Sequence, residues 1–432
     1  MSDFDVIVIG AGIAGSAAAY KLASEGADVL LVDRADPGSK NLSGGILYGR
    51  TLHDLIPDFA DQAPVERLIS RNDIMMLREN DALTIAYDNV GFAGGEGAPP
   101  NGCSVLRAKL DPWLAEQAEE AGASLVTDIL VDRLLMEGDR CTGVVAGDDE
   151  MTADCVIVAD GINSKMAEAL GARKGFDIHD MGVGVKYLYR LDEQTVSERF
   201  CCREGEGVAY GVMGACTEGI PGGGFLYTNR DSVSVGLVVH IDHLAESGKT
   251  PYDLLDAMVA NPAVARLLEG GTLVEYGAHM VAEGGARNVP KALSGPGWMI
   301  VGDAAGFAAN NGFTVRGMDF AAASGVLAAE CALAAKQAGD FSAASLSAYD
   351  KAVAASFVGR DMETYGGAPS FMKDGRVYSN LVDLACGLFE CVYRQDGTPK
   401  RNMLAYAKDA VKGADLGLIE TGRIAWKAVK SL

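Results

Sequence analysis

Positive charge is scarce in this chain of 432 residues. It contains 37 Lys and Arg residues against 59 Asp and Glu residues, which gives a formal net charge of −22 at pH 7. Nucleic acids bind basic surfaces, so this balance argues against nucleic acid as a partner. The acidity fits either plain solubility or a salty cytoplasm, and the composition does not separate the two.

Paired cysteines are missing. The nine cysteines form no Cys-x-x-Cys pair and are scattered through apolar surroundings, at positions 103, 141, 155, 201, 202, 216, 331, 386 and 391. Iron–sulfur and zinc sites need clustered ligands, so we expect no such ligand set. The pattern predicts reduced cytosolic thiols that mostly fill the core.

Long uninterrupted apolar runs are missing as well. Stretches of eighteen or more apolar residues all contain charge or clustered glycine, so the sequence predicts no transmembrane helix. The first residues, MSDFD, are acidic and run straight into an apolar strand, which is unlike a signal peptide. We therefore expect a cytoplasmic protein.

Glycine, by contrast, is abundant. The 54 glycines show no repeat period, and a hydrophobic content of 49% supports a fully folded protein. A chain of this length exceeds a usual single core, so one composite domain or two to three subdomains are expected. Glycine at this level indicates many close backbone approaches, as around a cofactor.

The N-terminal segment carries a dinucleotide-binding pattern. We predict a buried strand over Phe4–Ile9, a helix over Ser16–Ser24 and a second strand over Val29–Val32. The glycine motif between the first strand and the helix is predicted to bind a cofactor pyrophosphate through Gly10, Ala11, Gly12, Ile13, Ala14 and Gly15. Asp33 would bind ribose hydroxyls. Arg34 could meet the 2′-phosphate of NADP, so NADP stays formally possible, although the carboxylate of Asp33 argues against it.

A second pattern occupies residues 302–325. The apolar run Trp298–Val301 predicts a buried strand, and Gly302 and Asp303 follow at its carboxyl end, where open α/β sheets bind ligands. Asp303 can accept hydrogen bonds from the hydroxyls of a sugar-alcohol chain. The N–H groups of Gly312–Val315 are expected at the positive end of a long Ala-rich helix, which would stabilise a reduced flavin. The segment favours a flavin site over an ordinary strand–turn–helix.

A third strand end is predicted where the apolar run 155–159 stops at Asp160 and Gly161. The strand ends at residues 10, 160 and 302 are therefore expected to meet in one sheet assembled from distant segments.

Two further segments could contact a cofactor. The loop 37–45, with Ser43, Gly44 and Gly45, either wraps a phosphate or flavin edge or is a plain surface loop. Arg107 either faces the cofactor phosphates or forms a surface salt bridge. It stands before a helix whose predicted N-cap is Asp111.

These motifs together resemble a known fold family. The fingerprint with Asp33, the Asp160–Gly161 site and Gly302–Asp303 resemble the glutathione-reductase-type FAD fold of aromatic hydroxylases, geranylgeranyl reductases and electron-transfer flavoprotein–quinone oxidoreductases. Narrower matches favour the last group, and in particular its FixC branch, over nearly the whole chain. They lie at 40–45, 222–227, 275–278, 283–285 with 289–290, and 302–325, which includes Gly317-Met318-Asp319.

The resemblance implies FAD as the cofactor. It implies that the fingerprint glycines and Asp33 bind the ADP half, and that Val131 touches adenine through its backbone. Asp303 would hold the ribityl chain, and Gly312, Thr314 and Val315 the ring. It also implies the fold class: α/β, with a Rossmann-like FAD-binding domain built from discontinuous segments, an inserted antiparallel-sheet quinone domain and a helical C-terminal region. The predicted bounds are 1–70, 101–170 and 286–335 for the FAD-binding domain, 71–100 and 171–285 for the inserted domain, and 336–432 for the helical region.

The implied activity is electron transfer from an electron-transfer flavoprotein, with its alpha and beta subunits, to a membrane quinone. In the FixABCX type of complex, NADH oxidation is bifurcated between a quinone and a low-potential ferredoxin or flavodoxin. Longer quinone oxidoreductases carry a C-terminal iron–sulfur domain with four cysteines, whereas this chain has only Cys386 and Cys391 there. We therefore expect a separate ferredoxin-like iron–sulfur subunit of the FixX type.

An electron relay needs no side-chain nucleophile, so no catalytic residue and no metal ligand is assigned. For His240, His243 and His279 the alternatives are a surface or structural role and a role as proton donors, and the sequence favours the first. Glu283 either contacts the ring region and helps to protonate a quinone, or is an ordinary loop carboxylate.

The C-terminal tail is basic, unlike the rest. Residues 395–432 have a net charge of +3, and the remainder has −25. The tail, with Trp426, could place the protein at the inner face of the cell membrane; a solvated helix or a contact to another subunit are the alternatives.

Two other activities share this fold: a flavin-dependent geranylgeranyl-type reductase and an NAD(P)H-dependent flavin monooxygenase. A FAD-stabilised structural subunit without turnover is a third possibility.

Overall fold

The computed structural model describes residues 2–39, 44–95 and 98–432. Its strands are β1 (Phe4–Ile9), β2 (Val29–Val32), β3 (Gly44–Leu47), β4 (Val65–Leu77), β5 (Ala82–Asp88), β6 (Cys103–Leu106), β7 (Ser124–Val126), β8 (Arg133–Glu137), β9 (Arg140–Ala146), β10 (Asp149–Val158), β11 (Met181–Arg190), β12 (Glu206–Gly214), β13 (Gly222–Thr228), β14 (Ser232–His240), β15 (Thr272–Ala282), β16 (Ser294–Gly295), β17 (Trp298–Ile300), β18 (Ala309–Asn310) and β19 (Val315–Arg316).

The α-helices are α1 (Ile13–Ser24), α2 (Arg50–Leu55), α3 (Phe59–Gln62), α4 (Arg107–Glu120), α5 (Lys165–Ala169), α6 (Glu193–Arg199), α7 (Ile241–Ser247), α8 (Pro251–Ala260), α9 (Pro262–Leu268), α10 (Met318–Ala338), α11 (Ala343–Ala355), α12 (Phe357–Thr364), α13 (Ala368–Met372), α14 (Asn380–Tyr393), α15 (Met403–Gly413) and α16 (Leu418–Ser431).

The first sheet is parallel at its centre and is assembled from distant segments. Its strand order is β16-β17-β10-β1-β2-β7, with β9 paired to β10 and β8 to β9. Strands β17, β10, β1, β2 and β7 run parallel to one another, so their carboxyl ends share one edge. Near-continuous apolar runs, buried on both faces, produce such strands. The predicted α/β class and the meeting of the three strand ends are confirmed.

The second sheet is larger and mostly antiparallel. Its order is β15-β11-β14-β13-β12-β4-β6-β3, with β5 on β4, and the β12–β4 pair is parallel. One face packs on an apolar core with α8 and α9, where Val185, Leu237 and Leu254 are buried. Alternation along β11 and β14 explains this face, because successive side chains point to opposite sides of a strand.

The domain bounds given above stay a prediction. The strands of 71–100 and 171–285 do lie in the second sheet, as expected. Strands β3 and β6, however, pair with each other and β6 pairs with β4, so both belong to that sheet although the prediction places them with the FAD-binding segments.

The C-terminal region is helical, as predicted. Helix α10 packs against α1, and α11 and α12 follow it on the same side. Within the part of the chain described, α10 is also the one helix long and apolar enough to cross a membrane by length and composition, although 61% of the relevant window is buried inside the protein. Packing of this kind is typical of a core helix.

Candidate functional site

The site lies at the carboxyl edge of the first sheet. Ile9 is in register with Val158, and Val158 with Ile300, so the segments that follow these three strands lie side by side. Those segments begin at Gly10, Ala159 and Val301. Chemistry-bearing residues separated by nearly 300 positions in the sequence are therefore neighbours at one edge, the usual ligand position in an open α/β sheet.

Two fingerprint glycines are required by close backbone contacts. Gly10 has a φ of +103°, and a Cβ there would lie 2.4 Å from the Ala159 carbonyl oxygen. A Cβ on Gly15 would lie 1.8 Å from the Gly10 carbonyl oxygen. Only glycine fits at either position. The Gly10 contact brings the end of β1 close to the segment after β10, and the Gly15 contact brings the start of α1 close to the end of β1.

The start of α1 forms an open cradle for an anion. The helix begins at Ile13, three residues earlier than predicted, and its N-cap Gly12 supplies no side-chain cap. The first helical N–H groups therefore remain available, and the helix dipole favours negative charge there. A Cβ on Gly12 would meet only the Arg107 guanidinium, at 3.5 Å, so the space in front of the helix is lined by a positive charge.

Asp33 ties the glycine loop to the end of β2. Its Oδ2 accepts a hydrogen bond from the Ala11 N–H at 2.7 Å, and its Oδ1 accepts one from the Ala35 N–H at 3.1 Å. The carboxylate is thus held at the strand end with lone pairs left for ribose hydroxyls. Arg34 is exposed, and its contact with a cofactor stays a prediction.

Arg107 forms a mostly buried ion pair and not a surface one, and its contact with the cofactor phosphates stays a prediction. Its Nε and Nη2 donate to the two carboxylate oxygens of Asp111 at 2.5 and 2.6 Å. Burial would lower the pKa of the guanidinium, but the charges of Asp111 and Asp303 raise it, so Arg107 stays positive. The predicted N-cap role of Asp111 is wrong: α4 begins at Arg107, and Asp111 is a fully buried residue of that helix that fixes the arginine.

Asp303 lies where a polyol chain would need an acceptor. Gly302 has a φ of +60°, and its N–H donates to Ser324 Oγ at 3.0 Å, which anchors the turn to α10. The side chain of Asp303 forms no hydrogen bond with other described residues. Burial raises the pKa of this carboxyl, and the charges of Arg107 and His279 act against that rise.

The Asp160 turn offers a second unsatisfied carboxylate. Asp160 Oδ2 accepts from the Met166 N–H at 3.3 Å, whereas Oδ1 is buried without a partner among the described residues. Burial raises the pKa of this group. Gly161 follows with a φ of +78°, which turns the chain away from the strand. An unsatisfied buried oxygen at a ligand edge is the kind of atom that a bound molecule satisfies.

The structure differs from the prediction at Gly312–Val315. These residues do not start a helix, because α10 begins at Met318 after the N-cap Gly317. They form the turn of the β18–β19 ribbon, in which Asn310 Oδ1 accepts from the Gly312 N–H and Asn311 Oδ1 accepts from the Thr314 N–H. The two asparagines thus occupy N–H groups that were expected to face a ring. Contacts of Gly312, Thr314 and Val315 with a cofactor remain predicted.

The remaining predicted residues lie around this edge or outside the described chain. Val131 is buried and packs in the core of the first sheet, and its main-chain N–H and C=O form no hydrogen bond with described residues. Gly44 and Gly45 are in β3, where a Cβ on Gly44 would lie 2.5 Å from the Val105 carbonyl oxygen. Ser43 and the preceding Lys40–Leu42 lie outside the described residues.

Comparison with known proteins gives the family. A family model for an FAD binding domain matches residues 3–218, and one described as ETF-QO, ubiquinone-binding, matches residues 181–281. The probable electron transfer flavoprotein-quinone oxidoreductase YdiS of Escherichia coli K12 is 43% identical over 432 residues, which cover 96% of this chain and 99% of YdiS. The chain belongs to the electron-transfer flavoprotein–quinone oxidoreductase family.

Membership of the FixC branch of this family follows from further relatives. Protein FixC of Escherichia coli K12 is 44% identical over 397 residues, 91% of each chain, and protein FixC of Salmonella typhi is 42% identical over 412 residues, 94% of this chain and 95% of that one. The predicted family is confirmed.

Solved structures share the fold at low identity. A geranylgeranyl bacteriochlorophyll reductase-like protein from Thermoplasma acidophilum matches with a TM-score of 0.73 and 19% identity over 99% of both chains. The flavin-dependent brominase Bmp2 matches with a TM-score of 0.63 and 17% identity, over 95% of this chain and 99% of that one. These likenesses support the fold alone.

The site residues fit FAD. The cradle in front of α1, the free acceptor oxygens of Asp303 and the buried unpaired oxygen of Asp160 match a pyrophosphate and a polyol chain. FAD, the cofactor of this FAD-dependent oxidoreductase, supplies the redox chemistry when bound. Three residues would orient FAD as predicted: Arg107 beside the phosphates, Asp33 at the ribose and Asp303 at the ribityl chain.

Proposed function

We propose that this chain accepts electrons from an electron-transfer flavoprotein and passes them to a membrane quinone. The observation that carries the proposal is a contact between two regions. A cavity is lined by Gly222 and His240 from the region matched by the ubiquinone-binding model and by Asn310 from the predicted flavin segment. A quinone bound in the ubiquinone-binding region would thus lie next to the predicted flavin segment, as electron transfer requires.

The donor is proposed from the relatives, whose names include electron transfer flavoprotein-quinone oxidoreductase. We further propose that the alpha and beta subunits of that flavoprotein supply NADH-derived electrons in a bifurcating complex of the FixABCX type. A ferredoxin-like FixX-type subunit would provide the iron–sulfur cluster. No group of three or more His, Cys, Asp or Glu among the described residues is arranged to bind a metal.

A quinone is dissolved in lipid, so the proposal includes a contact with the inner face of the membrane. Helix α16 presents an exposed apolar stripe: Ile419, Trp426 and Val429 are 75%, 64% and 79% exposed. Their spacing of seven and three places them on one side of the helix. The Lys430 ammonium lies 5.4 Å from the Trp426 ring centroid, so positive charge borders the stripe, as in interfacial helices.

The test is anaerobic flavin spectroscopy on purified, FAD-loaded protein. We expect NADH alone to leave the flavin oxidised, and NADH with the electron-transfer flavoprotein to bleach it. A water-soluble ubiquinone analogue should then restore the oxidised spectrum. Rapid bleaching by NADH or NADPH alone would contradict the proposal and favour a reductase or monooxygenase, and absence of any turnover would favour a structural subunit.

A further inference from the structure

Three polar side chains face the small cavity between the ubiquinone-binding region and the predicted flavin segment: His240 and Tyr378 are buried and Glu283 is partly buried. Electron transfer as proposed above assigns no role to any of the three. The cavity is about 10 Å³, room for a single water molecule, and His240, Glu283 and Tyr378 line it together with Gly222 and Asn310. The three side chains come from the end of β14, the segment after β15 and the turn before α14. Nothing in their spacing along the chain predicts that they meet.

Two of these side chains carry polar atoms without partners. His240 Nδ1 and the Tyr378 hydroxyl are buried and form no hydrogen bond with other described residues, and the two side chains are 4% and 3% exposed. Leaving a buried polar group unpaired costs on the order of 1–3 kcal/mol, so folded proteins rarely retain one without a use. The cavity is thus built to hold a polar guest.

The side chain of Glu283 reaches the same cavity because Gly182 leaves space for it. A Cβ on Gly182 would lie 3.0 Å from Glu283 Cγ, so glycine at 182 lets the side chain cross β11. Asn310 Nδ2 donates to Glu283 Oε2 at 3.4 Å, which links the carboxyl to the predicted flavin segment. Burial raises the pKa of Glu283 to about 7, and the bond from Asn310 opposes the rise.

A line of titratable groups leads from this cavity to the surface. The His240 and His243 ring centroids are 6.3 Å apart, and His243 Nδ1 is 2.8 Å from Asp242 Oδ1. The other oxygen of Asp242 is 2.8 Å from Nδ1 of His179, whose side chain is 68% exposed. Two steps of the line lack a direct hydrogen bond and need a bridging water: His243 to His240, and His240 to Glu283 across the cavity.

Burial keeps His240 neutral. Burial is the largest of the causes that lower the pKa of His240 to about 4; Lys373 acts in the same direction, and Asp242 opposes it. A neutral imidazole donates through one nitrogen and accepts through the other, which is the state a proton relay needs. The groups that face the line from neighbouring elements are Tyr378 toward Glu283, and Lys373, Asp180, Asp242 and His243 toward His240.

We infer that Glu283 donates a proton to the quinone carbonyl oxygen, directly or through the cavity water, and that the line His179–Asp242–His243–His240 resupplies it; this rests on the proposed quinone reductase function. The O–H bond of the carboxyl breaks and a new O–H bond forms on the quinone. The two electrons come from the reduced enzyme. After reprotonation from bulk water the same carboxyl gives the second proton, which completes the quinol. Glu283 is thereby a catalytic residue, and His240 acts through it, as the inner end of the line that returns the proton.

The experiment separates proton delivery from electron delivery. Photoreduced, FAD-loaded protein is mixed in a stopped-flow instrument with a ubiquinone analogue, which takes up two protons, or with ferricenium, which takes up none. For Glu283→Gln we expect quinone reduction to fall at least about tenfold, since general acid catalysis is worth about 10²–10⁴ in rate. Ferricenium reduction should be unchanged. Glu246→Gln, an exposed carboxyl on α7, is the matched control and should match wild type with both acceptors.

The pH profile supplies the second readout. A carboxyl with a pKa near 7 is protonated below that pH, so wild-type quinone reduction should decline as the pH rises through 7. The decline should vanish in Glu283→Gln. His240→Gln should slow repeated turnover with quinone while leaving ferricenium reduction unchanged.

A third readout needs no turnover. Infrared spectra of the resting protein should show a protonated carboxyl band that titrates near pH 7 and is lost in Glu283→Gln but retained in Glu246→Gln. If Glu283→Gln reduced quinone at the wild-type rate, the assignment of Glu283 would be overturned while the proposed function would stand. The same holds if the variant lost its rates with quinone and ferricenium equally. A wild-type protein that reduces ferricenium and no quinone would overturn the proposed function together with it.

Discussion

Gly325→Ala should separate the two helices that shape the cofactor cradle. A Cβ at position 325 would lie 2.2 Å from the Ala14 carbonyl oxygen and 3.1 Å from the Ala14 carbonyl carbon. These are main-chain atoms in the first turn of α1, and Gly325 is in the middle of α10. Neither helix can yield by rotating a side chain, so one backbone must move.

The magnitude follows from a comparison with a glycine that has room. Gly387 is in α14, and a Cβ there would meet no atom within 4 Å. Gly387→Ala should therefore stabilise the protein by about 1 kcal/mol through helix propensity. Gly325→Ala gains the same propensity but adds overpacking, which costs roughly 1–3 kcal/mol and more where backbone is struck. Because the propensity term cancels, we expect the two variants to differ by about 1–3 kcal/mol in the free energy of unfolding.

The assay is urea unfolding of both variants, with FAD affinity from flavin fluorescence. Because displacement of Ala14 moves the first N–H groups of α1, Gly325→Ala should also bind FAD at least about tenfold more weakly, which corresponds to 1.4 kcal/mol. Gly387→Ala should bind it as wild type does. If Gly325→Ala were as stable as Gly387→Ala and bound FAD normally, the close contact between α1 and α10 would be refuted.

Three further predictions concern single side chains. Asp303→Ala should weaken FAD binding by about 10- to 100-fold through loss of charged hydrogen bonds, with Asp303→Asn intermediate; a full flavin complement at unchanged affinity would contradict the site. Arg67 is 2% exposed and donates to carbonyl oxygens of Asn229, Glu206, Glu193 and Arg230. Arg67→Met leaves these oxygens without their donor, so it should cost several times the roughly 1–3 kcal/mol of one unpaired buried group by urea unfolding, and a loss under about 1 kcal/mol would contradict that network. Burial lowers the pKa of Lys186 to about 8 from 10.5, so below pH 8 the charged ammonium lowers the free energy of unfolding. Lys186→Met should stabilise the FAD-free protein at pH 7 by up to about 3 kcal/mol, and the gain should shrink from pH 8 to 10.5; a pH-independent difference would contradict it.

The central parallel sheet could be predicted from the sequence because each of its strands carries its own signal. β1 and β2 have the predicted bounds, since continuous apolar runs end at Gly10 and Asp33. The edge formed at Asp160 and Gly302 follows from the rule that ligand residues stand at carboxyl ends of parallel strands. For these strands the local apolar pattern and the position in the sheet lead to the same prediction.

Residues at helix starts were harder to predict. Asp111 followed by Pro112 has the form of an N-cap, yet α4 begins four residues earlier because Asp111 is needed as a buried partner of Arg107. Asn310 and Asn311 bond the N–H groups of their own turn, which moves the start of α10 to Met318. In both cases a side-chain hydrogen bond to a residue two to four positions away replaced the expected cap arrangement.

The cavity at Glu283 could not be predicted at all. His240 and Tyr378 lie in different elements more than a hundred residues apart, and no periodicity marks either as buried and unpaired. Glycine at 182 is the one local hint, since it leaves space for a neighbouring long side chain, but a glycine within a strand has many other causes. Assembly of three segments by the fold creates the site.

The most direct test of the account is quinol formation with the reduced electron-transfer flavoprotein as sole electron donor, under anaerobic conditions. The account predicts that catalytic amounts of the FAD-loaded protein convert a ubiquinone analogue to quinol, one per two electrons delivered, and that protein without FAD does not. Oxidation of the flavoprotein that is independent of this chain, or electrons that never reach the quinone, would contradict it.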